Sequence, residues 1–109
     1  MRKTDALQGS LNLLVLKVLS RKPGLHGYVI LAEIRVLSDG VLRVEEGSLY
    51  PALHRMKENG WLKARWTTND NGRRTRQYEL TKLGEKQLAT EEERWQSVSA
   101  AVNQVLRRI

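Results

Sequence analysis

The sequence has no cysteine and only two histidines, His26 and His54, among its 109 residues. Without cysteine the chain can form neither a disulfide framework nor a thiolate metal site, which suits a reducing compartment. The two histidines fall on different predicted elements, and the sequence has no Gly-rich phosphate cradle, no HExxH motif and no paired-carboxylate motif. We therefore expect no enzymatic activity, no metal and no cofactor.

Long apolar runs are also missing, since none approaches the roughly 20 residues that a membrane-spanning helix requires. The N-terminal segment MRKTDALQGS lacks the small-residue cleavage site of a signal peptide. A chain of 109 residues with 40% apolar residues has the size of one domain with a modest core. We therefore expect a cytoplasmic protein with no membrane partner, for which dimerisation would add further burial.

Positive charge is plentiful and unevenly distributed. The net charge is +7, and the sequence pI is about 10.1. Seven basic and two acidic residues lie between His54 and Tyr78, whereas residues 82–109 hold five basic and four acidic ones. Such clustering is the electrostatic footprint of a phosphate-binding surface. Solvated lysines of an ordinary basic protein are the alternative on charge alone.

The segment from Gly47 to Asn59 is predicted to form a helix that ends at Gly60. Leu49, Leu53 and Met56 recur at helical spacing, and glycine commonly follows a helix C-terminus. Pro51 fits only in the first turn, where it removes an amide hydrogen that would be unpaired anyway. A helical wheel gives an apolar face for the core and an opposite face that is free to meet a partner. The free face carries Ser48, Pro51, His54, Arg55 and Glu58.

After this helix the apolar period changes to two, which predicts a β-hairpin. Leu62, Ala64 and Trp66 alternate with polar residues, and the alternation returns at Tyr78 and Leu80. The intervening NDNG is rich in residues that tolerate left-handed backbone angles. Arginines at a hairpin tip suit contact with a phosphate backbone. They are Arg73, Arg74 and Arg76.

The run that starts at Gly47 contains GSLYPALHRM, GWL, a tryptophan, an Asn/Gly turn, RR, a tyrosine and LT. In this order the motifs resemble the winged helix-turn-helix domain of PadR-family transcriptional regulators. The likeness runs from about Thr4, through the HGY at residues 26–28, to the terminal helix. It departs from the family pattern at Gln77, where members usually carry the first of two adjacent tyrosines. The resemblance implies a mainly α fold with a small β-hairpin wing (α+β) and a long C-terminal dimerisation helix.

The same resemblance implies that the third helix enters the major groove of double-stranded DNA and that the hairpin is the wing. Ser48 and Tyr50 offer hydroxyls at the helix start, although Tyr50 is equally compatible with a half-buried ring. Arg55 suits a guanine edge or a phosphate, and Lys57 a phosphate. Tyr28 is expected to face the sugar-phosphate backbone. The predicted DNA-binding residues are Tyr28, Ser48, Tyr50, Pro51, His54, Arg55, Lys57, Lys63, Arg73, Arg74 and Arg76.

Two helices are predicted in the first half of the chain. Leu11, Val15 and Leu19 belong to an apolar stripe that widens beyond one face, so the first helix must bury more than one side. Either it is a fully buried central helix, or part of it contacts a second chain. A second helix is predicted from Gly27 to about Ser38. The short apolar run from Val41 to Val44 is predicted to form a third strand.

One long helix is predicted from Lys82 to Ile109, with Thr81 as its N-cap. From Trp95 onward the apolar residues follow a heptad pattern that is typical of packing between helices. We expect this helix to join two chains, and packing on its own first helix is the alternative. The division is therefore a DNA-binding domain at 1–81 and a dimerisation helix at 82–109. The predicted dimerisation residues are Leu11, Leu88, Trp95, Val98, Val102, Val105 and Ile109.

Trp95 has two interpretations. In a symmetric dimer its mate lies close across the axis, and two indoles with a gap between them would suit a planar aromatic effector. The resemblance supports this idea, because some PadR-like regulators respond to aromatic compounds. The favoured interpretation is an indole that fills the interface without a ligand. The sequence as a whole predicts a homodimeric repressor of a palindromic operator, and the alternative is a winged helix module that binds protein or RNA.

Overall fold

A computed structural model of the protein describes residues 3–109, with side chains from Ser10 onward. The described part has four helices and a small three-stranded sheet, so the predicted α+β winged helix fold is confirmed. None of the described helices is both long and apolar enough to cross a membrane. The elements are α1 (Lys3–Arg21), β1 (Leu25–His26), α2 (Gly27–Leu37), α3 (Glu46–Glu58), β2 (Leu62–Thr68), β3 (Arg74–Leu80) and α4 (Lys82–Arg108).

The hydrophobic core forms where α1, α2 and α3 meet beside the sheet. Leu16 of α1, Ile30 of α2 and Leu53 of α3 are completely buried there. Because α1 is apolar around more than one side, it contacts α2, α3, β3 and α4. The buried apolar residues are Leu11, Val15, Leu16, Val18, Leu19, Ile30, Ile34, Leu49, Ala52, Leu53, Met56, Leu62, Tyr78 and Leu88.

Two of the predicted dimerisation residues lie inside this core. Leu11 is 1% exposed and Leu88 is 8% exposed within the single chain. The reason is that the first half of α4 packs on α1, where Lys17 also pairs with Glu92 at 3.4 Å. Within the single chain Leu11 and Leu88 therefore belong to the core, as the central-helix interpretation of α1 expects around Leu11, and their role in dimerisation stays a prediction.

The third strand is not where the sequence pattern placed it. It is β1, which pairs with β3 through Leu25 and Tyr78, and the sheet order is β1-β3-β2. The predicted strand from Val41 to Val44 is wrong, because local bonds occupy its backbone: the Leu42 amide donates to Ser38 Oγ at 2.9 Å. The apolar side chains that suggested a strand, Leu42 and Val44, pack against the core without strand pairing.

The end of α3 agrees with the sequence prediction, but the position of Pro51 within the helix does not. Gly60 has a φ of 81°, and the Gly60 and Trp61 amides donate to the carbonyls of Lys57 and Met56, which is a Schellman motif. Pro51 is the sixth residue of α3 and so lies beyond the first turn. Its ring nitrogen has no hydrogen to donate to the carbonyl of Gly47, and Gly47 is an exposed residue.

The start of α4 is pressed against the turn that follows α3. Thr81 is the N-cap, as predicted: its Oγ1 accepts from the Gly84 amide at 3.0 Å and donates to the Gly60 carbonyl at 2.6 Å. Gly84 is buried so closely against the Trp61 carbonyl that a Cβ at this position would overlap the oxygen. The glycine therefore allows α4 to cross the α3–β2 turn in direct contact with its backbone.

Candidate nucleic-acid interface

A cleft of about 440 Å³ lies between α3, the start of α2 and the wing formed by β2 and β3. Among the described residues no Asp or Glu lines it, whereas lysine, arginine and histidine lie on both of its sides. An anionic partner is thus favoured over a cationic one. The predicted DNA-binding residues that line the cleft are Tyr28, Tyr50, His54, Lys57, Arg74 and Arg76.

Tyr50 of α3 lies near the base of the cleft. Its ring packs over Gly27, where an added Cβ would lie 2.7 Å from Tyr50 Cε1 and 2.9 Å from the hydroxyl oxygen. Burial, with smaller contributions from Glu46 and Tyr78, raises the pKa of the Tyr50 phenol above its ordinary value. Like any tyrosine hydroxyl it keeps its proton at neutral pH, and it can donate to a phosphate oxygen even though part of the ring is buried.

The HGY motif joins the start of α2 to the wing. His26 Nδ1 lies 3.2 Å from the carbonyl of Arg76 and donates to it in the tautomer that carries hydrogen on Nδ1. Gly27 leaves room for the Tyr50 ring, and Tyr28 then points outward with 62% of its surface exposed. The motif was visible in the sequence, but its roles depend on residues that are 23 and 50 positions further along the chain.

The wing has two different faces. Trp66 is opposite Arg76 and Thr68 is opposite Arg74, so Trp66, Arg74 and Arg76 share the face that borders the cleft. The Cζ atoms of Arg74 and Arg76 lie 4.9 Å and 5.2 Å from the centre of the Trp66 ring, within the range of cation–π attraction. Trp66 is not among the DNA-binding residues predicted from the sequence.

Lys63 lies on the other face of the wing, away from the cleft. Its Nζ is 3.4 Å from the Glu79 carboxylate on the neighbouring strand, so a carboxylate partly offsets its charge. At the hairpin tip, Asn69 Oδ1 accepts from the amides of Asn71 and Arg73, and Gly72 has a φ of 77°. The predicted turn chemistry is therefore present, and it presents Arg73 at the exposed end of the wing.

The outer surface of α3 carries the remaining predicted DNA-binding residues. Pro51 and Arg55 are exposed and Ser48 is half-buried, and none of the three lines the cleft. His54 lies 3.8 Å from Glu58 one turn later, and both side chains are largely exposed. A surface pair of this kind contributes little to stability, so these side chains can rearrange around a partner.

A second surface lies on the distal half of α4. Beyond Leu88 no described residue of the chain is buried, and residues 100–109 are all exposed. The heptad residues there fall on one side of the helix, which leaves an apolar strip without a covering layer. Leu106, which the sequence analysis did not assign, is also exposed. The strip consists of Trp95, Val98, Val102, Val105 and Ile109.

Comparison with known proteins decides the family. The sequence pattern of the transcriptional regulator PadR-like family matches residues 15–90, which include the cleft, the wing and all of the buried core except Leu11. This chain is a member of the PadR-like family. It is a transcriptional regulator with a DNA-binding winged helix, and because the family consists of regulators and not of enzymes, the expectation that the chain is no enzyme is confirmed.

Solved structures of PadR-like regulators have the same fold. A transcriptional regulator from Clostridium thermocellum is 26% identical with a TM-score of 0.84, over 92% of this chain and 96% of that one. A PadR-like transcriptional regulator from Bacillus cereus is 27% identical with a TM-score of 0.77, over 94% and 96% of the two chains. A PadR family transcription regulator from Clostridium difficile is 26% identical with a TM-score of 0.72, over 89% and 98%.

The cleft of this PadR-like chain also includes residues that the sequence analysis did not predict for the interface. His26 and Gly27 line the cleft at the start of α2, and Trp66 lines it on the side of the wing. Among the described residues there is no cluster of three or more His, Cys, Asp or Glu that could hold a metal ion. The cleft residues outside the prediction are His26, Gly27, Trp66, Thr75 and Tyr78.

Proposed function

We propose that this PadR-family protein is a homodimeric repressor that binds a palindromic operator in the cytoplasm. The observation that carries the proposal is the cleft between α3 and the wing, which has cationic groups on both sides and no carboxylate among the described residues that line it. Such a surface attracts the phosphate backbone through counterion release. Residues 1–81 would form the DNA-binding unit, and residues 82–109 the dimerisation helix.

The free face of α3 would lie in the major groove. Arg55 would read a guanine edge or clamp a phosphate, with Ser48 and Pro51 near the helix start, because all three lie on the side of α3 away from the core. His54 and Lys57 line the cleft side of the same helix and suit phosphate contacts. Lys63 lies on the outer face of the wing and would act only through its longer-range charge.

The backbone contacts would flank α3 on both sides. Tyr28 is exposed at the start of α2, and the Tyr50 hydroxyl is a donor at neutral pH, so both can bind phosphate oxygens. Arg74 and Arg76 face the cleft from the wing, and Arg73 extends from its tip. Arginines at these places would contribute affinity and bind the backbone or minor groove with little sequence selectivity.

The apolar strip on α4 supports the dimer. An uncovered strip of valines and a tryptophan with heptad spacing is suited to packing against an identical strip on a second copy of the chain. A twofold dimer presents two copies of α3, which favours an operator with inverted half-sites. Their centres would be one DNA turn apart, about 34 Å, or a multiple of that distance.

An unbiased selection from random duplex DNA with the purified full-length protein would test this function. We expect enrichment of an inverted repeat whose half-sites have a fixed spacing, because the two copies of α3 belong to one symmetric dimer. Enrichment without any repeat would contradict the dimeric mode of binding. A preference for RNA hairpins over all duplexes would instead support the alternative function of an RNA-binding winged helix module.

Replacing Arg73 and Arg74 with alanine is expected to weaken operator binding and to flatten its salt dependence. The slope of log K against log salt is negative, and each lost phosphate contact reduces its magnitude by about 0.9. We therefore expect the magnitude of the slope to fall by about 1 to 2. Fluorescence anisotropy over a series of salt concentrations measures the slope. Arg107→Ala with Arg108→Ala removes the same charge from the end of α4 and should leave the slope unchanged.

The wing assignment is wrong if the Arg73→Ala, Arg74→Ala protein keeps the wild-type slope. Equal decreases in both double variants would also contradict it. That outcome would mean that net charge, and not the position of the arginines on the wing, determines the salt dependence.

Trp95 supports a proposal about effector release. It is 53% exposed on the apolar strip, and in a twofold dimer its mate would lie across the axis. A planar aromatic compound inserted between the two indoles would change how the α4 helices pack. We therefore propose that such a compound releases the repressor from its operator; the interpretation that the sequence favours, an indole that only fills the interface, is what the experiment has to exclude.

Titration with a planar aromatic dye tests the role of Trp95. We expect saturable quenching of tryptophan fluorescence in the wild type and its loss in Trp95→Leu, in which Trp61 and Trp66 still contribute their emission. The same titration with operator present should lower the bound fraction of DNA. Quenching that is equal in the two proteins, or absent from both, would leave Trp95 as an interface residue only.

A further inference from the structure

The indole of Trp66 contacts two guanidinium groups on the cleft side of the wing. Arg76 is its direct cross-strand neighbour and Arg74 is the next residue on the same face of β3, with Cζ distances of 5.2 Å and 4.9 Å to the ring centre. Trp66 is 55% exposed, which is unusual for so large an aromatic side chain. Packing in the core therefore does not explain the tryptophan at position 66.

The two arginines need something to hold them near each other. Their positive charges repel, and each side chain has many rotamers that DNA binding would have to restrict. Arg76 Nε is buried without a hydrogen-bond partner among the described residues, so no hydrogen bond at that atom fixes its guanidinium. Contact with an aromatic ring restricts a guanidinium and leaves its N–H groups free for phosphate oxygens.

We propose that Trp66 is a positioning residue that holds Arg74 and Arg76 as one preorganised cationic pair for the DNA backbone. The inference rests on the proposed function, because it assigns the cleft side of the wing to operator binding. Its distinct claim is that Trp66 raises DNA affinity through the two arginines. Ordering these side chains before DNA arrives lowers the entropy that binding must remove.

A double-mutant cycle on the full-length protein tests this route of action. The variants are Trp66→Leu, Arg74→Gln with Arg76→Gln, and all three together. We expect Trp66→Leu alone to weaken operator binding by about 2- to 10-fold, the range of a partly exposed cation–π contact. The salt slope should stay near the wild-type value because no charge is lost. In the background without the two arginines, Trp66→Leu should have no further effect.

Trp66→Phe is the matched conservative variant. It keeps an aromatic face at the position and should recover most of the affinity that Trp66→Leu loses, because the attraction depends on the ring and not on the indole nitrogen. Equal losses from Trp66→Leu in both arginine backgrounds would overturn the proposal. Such additivity would mean that the indole contacts DNA itself or only supports the fold.

The free protein provides a readout that does not require DNA. NMR of the arginine Nε–Hε groups should show ring-current shifts for Arg74 and Arg76 in the wild type and in Trp66→Phe, and their loss in Trp66→Leu. Arg65, on the other face of the wing, is the internal control and should not shift among the three proteins. Unchanged Arg74 and Arg76 signals in Trp66→Leu would overturn the proposal.

The two measurements also separate the inference from the proposed function. A protein that shows the ring-current shifts but binds no duplex at low salt overturns the proposed function, and with it the role of the arginine pair in DNA binding. A protein that binds its operator but gives additive losses in the cycle overturns only the positioning role of Trp66.

Discussion

Replacing Gly84 with alanine is expected to destabilise the protein by about 2–3 kcal/mol, the usual cost of forcing extra atoms into a packed site. Alanine is the better helix former by about 1 kcal/mol, so propensity alone predicts the opposite sign. The clash prevails because the new Cβ would meet the Trp61 carbonyl group and lie 3.1 Å from Leu80 Cδ2. A backbone carbonyl cannot rotate away as a side chain can.

Gly47→Ala is the matched control, since Gly47 is also helical and nothing lies within 4 Å of where its Cβ would be. We expect this variant to be neutral or stabilised by up to about 1 kcal/mol. Urea unfolding followed by circular dichroism, at one fixed protomer concentration, would compare the free energies of unfolding of both variants. If Gly84→Ala were as stable as Gly47→Ala, the close crossing of α4 over the α3–β2 turn would be disproved.

Replacing Val98 and Val102 with glutamate is expected to abolish dimerisation and to lower operator affinity by at least about 100-fold. Four carboxylates would be placed in an apolar interface without partners, which costs far more than the valine contacts contribute. The affinity for the operator falls because, without the dimer, each DNA-binding unit would have to bind its half-site independently. Light scattering after size exclusion gives the mass of the particle, and anisotropy gives the affinity.

Gln96→Glu with Asn103→Glu adds the same charge on the opposite side of α4 and should leave the dimer intact. If the Val98→Glu, Val102→Glu protein kept the mass of the wild-type particle, the apolar strip would not be the dimer interface. A wild type that is monomeric at all concentrations would lead to the same conclusion. Either result would mean that the apolar strip contacts a partner other than a second copy of this chain.

Local signals in the sequence were sufficient for the long elements. The helix of Leu49, Leu53 and Met56, its end at Gly60 and the Thr81 cap all depend on residues a few positions apart, and the structure has them where they were predicted. β1 could not be found in this way, because two residues have no period. Its existence depends on pairing with β3, which lies about 50 positions later in the sequence.

The cleft was only partly predictable for the same reason. Charge and hairpin alternation indicated which segment binds anions, but they did not reveal that Lys63 pairs with Glu79 on the far face of the wing. Nor did they place Trp66 against Arg74 and Arg76, since that contact depends on the register of the two strands. Residue type suggested the chemistry of the interface, and only the fold determined which groups share a face.

The Thr81 and Gly84 contacts couple α4 rigidly to α3, so that a rotation of α4 also moves α3. The 27 residues of α4 span about 40 Å, and its first turn is fixed to the same turn that ends α3. In a dimer joined at the far ends, a rotation of each α4 by about 5° would move its α3 by roughly 3.5 Å. Because a hydrogen bond to a base is only about 3 Å long, so small a rotation would be enough to release the operator.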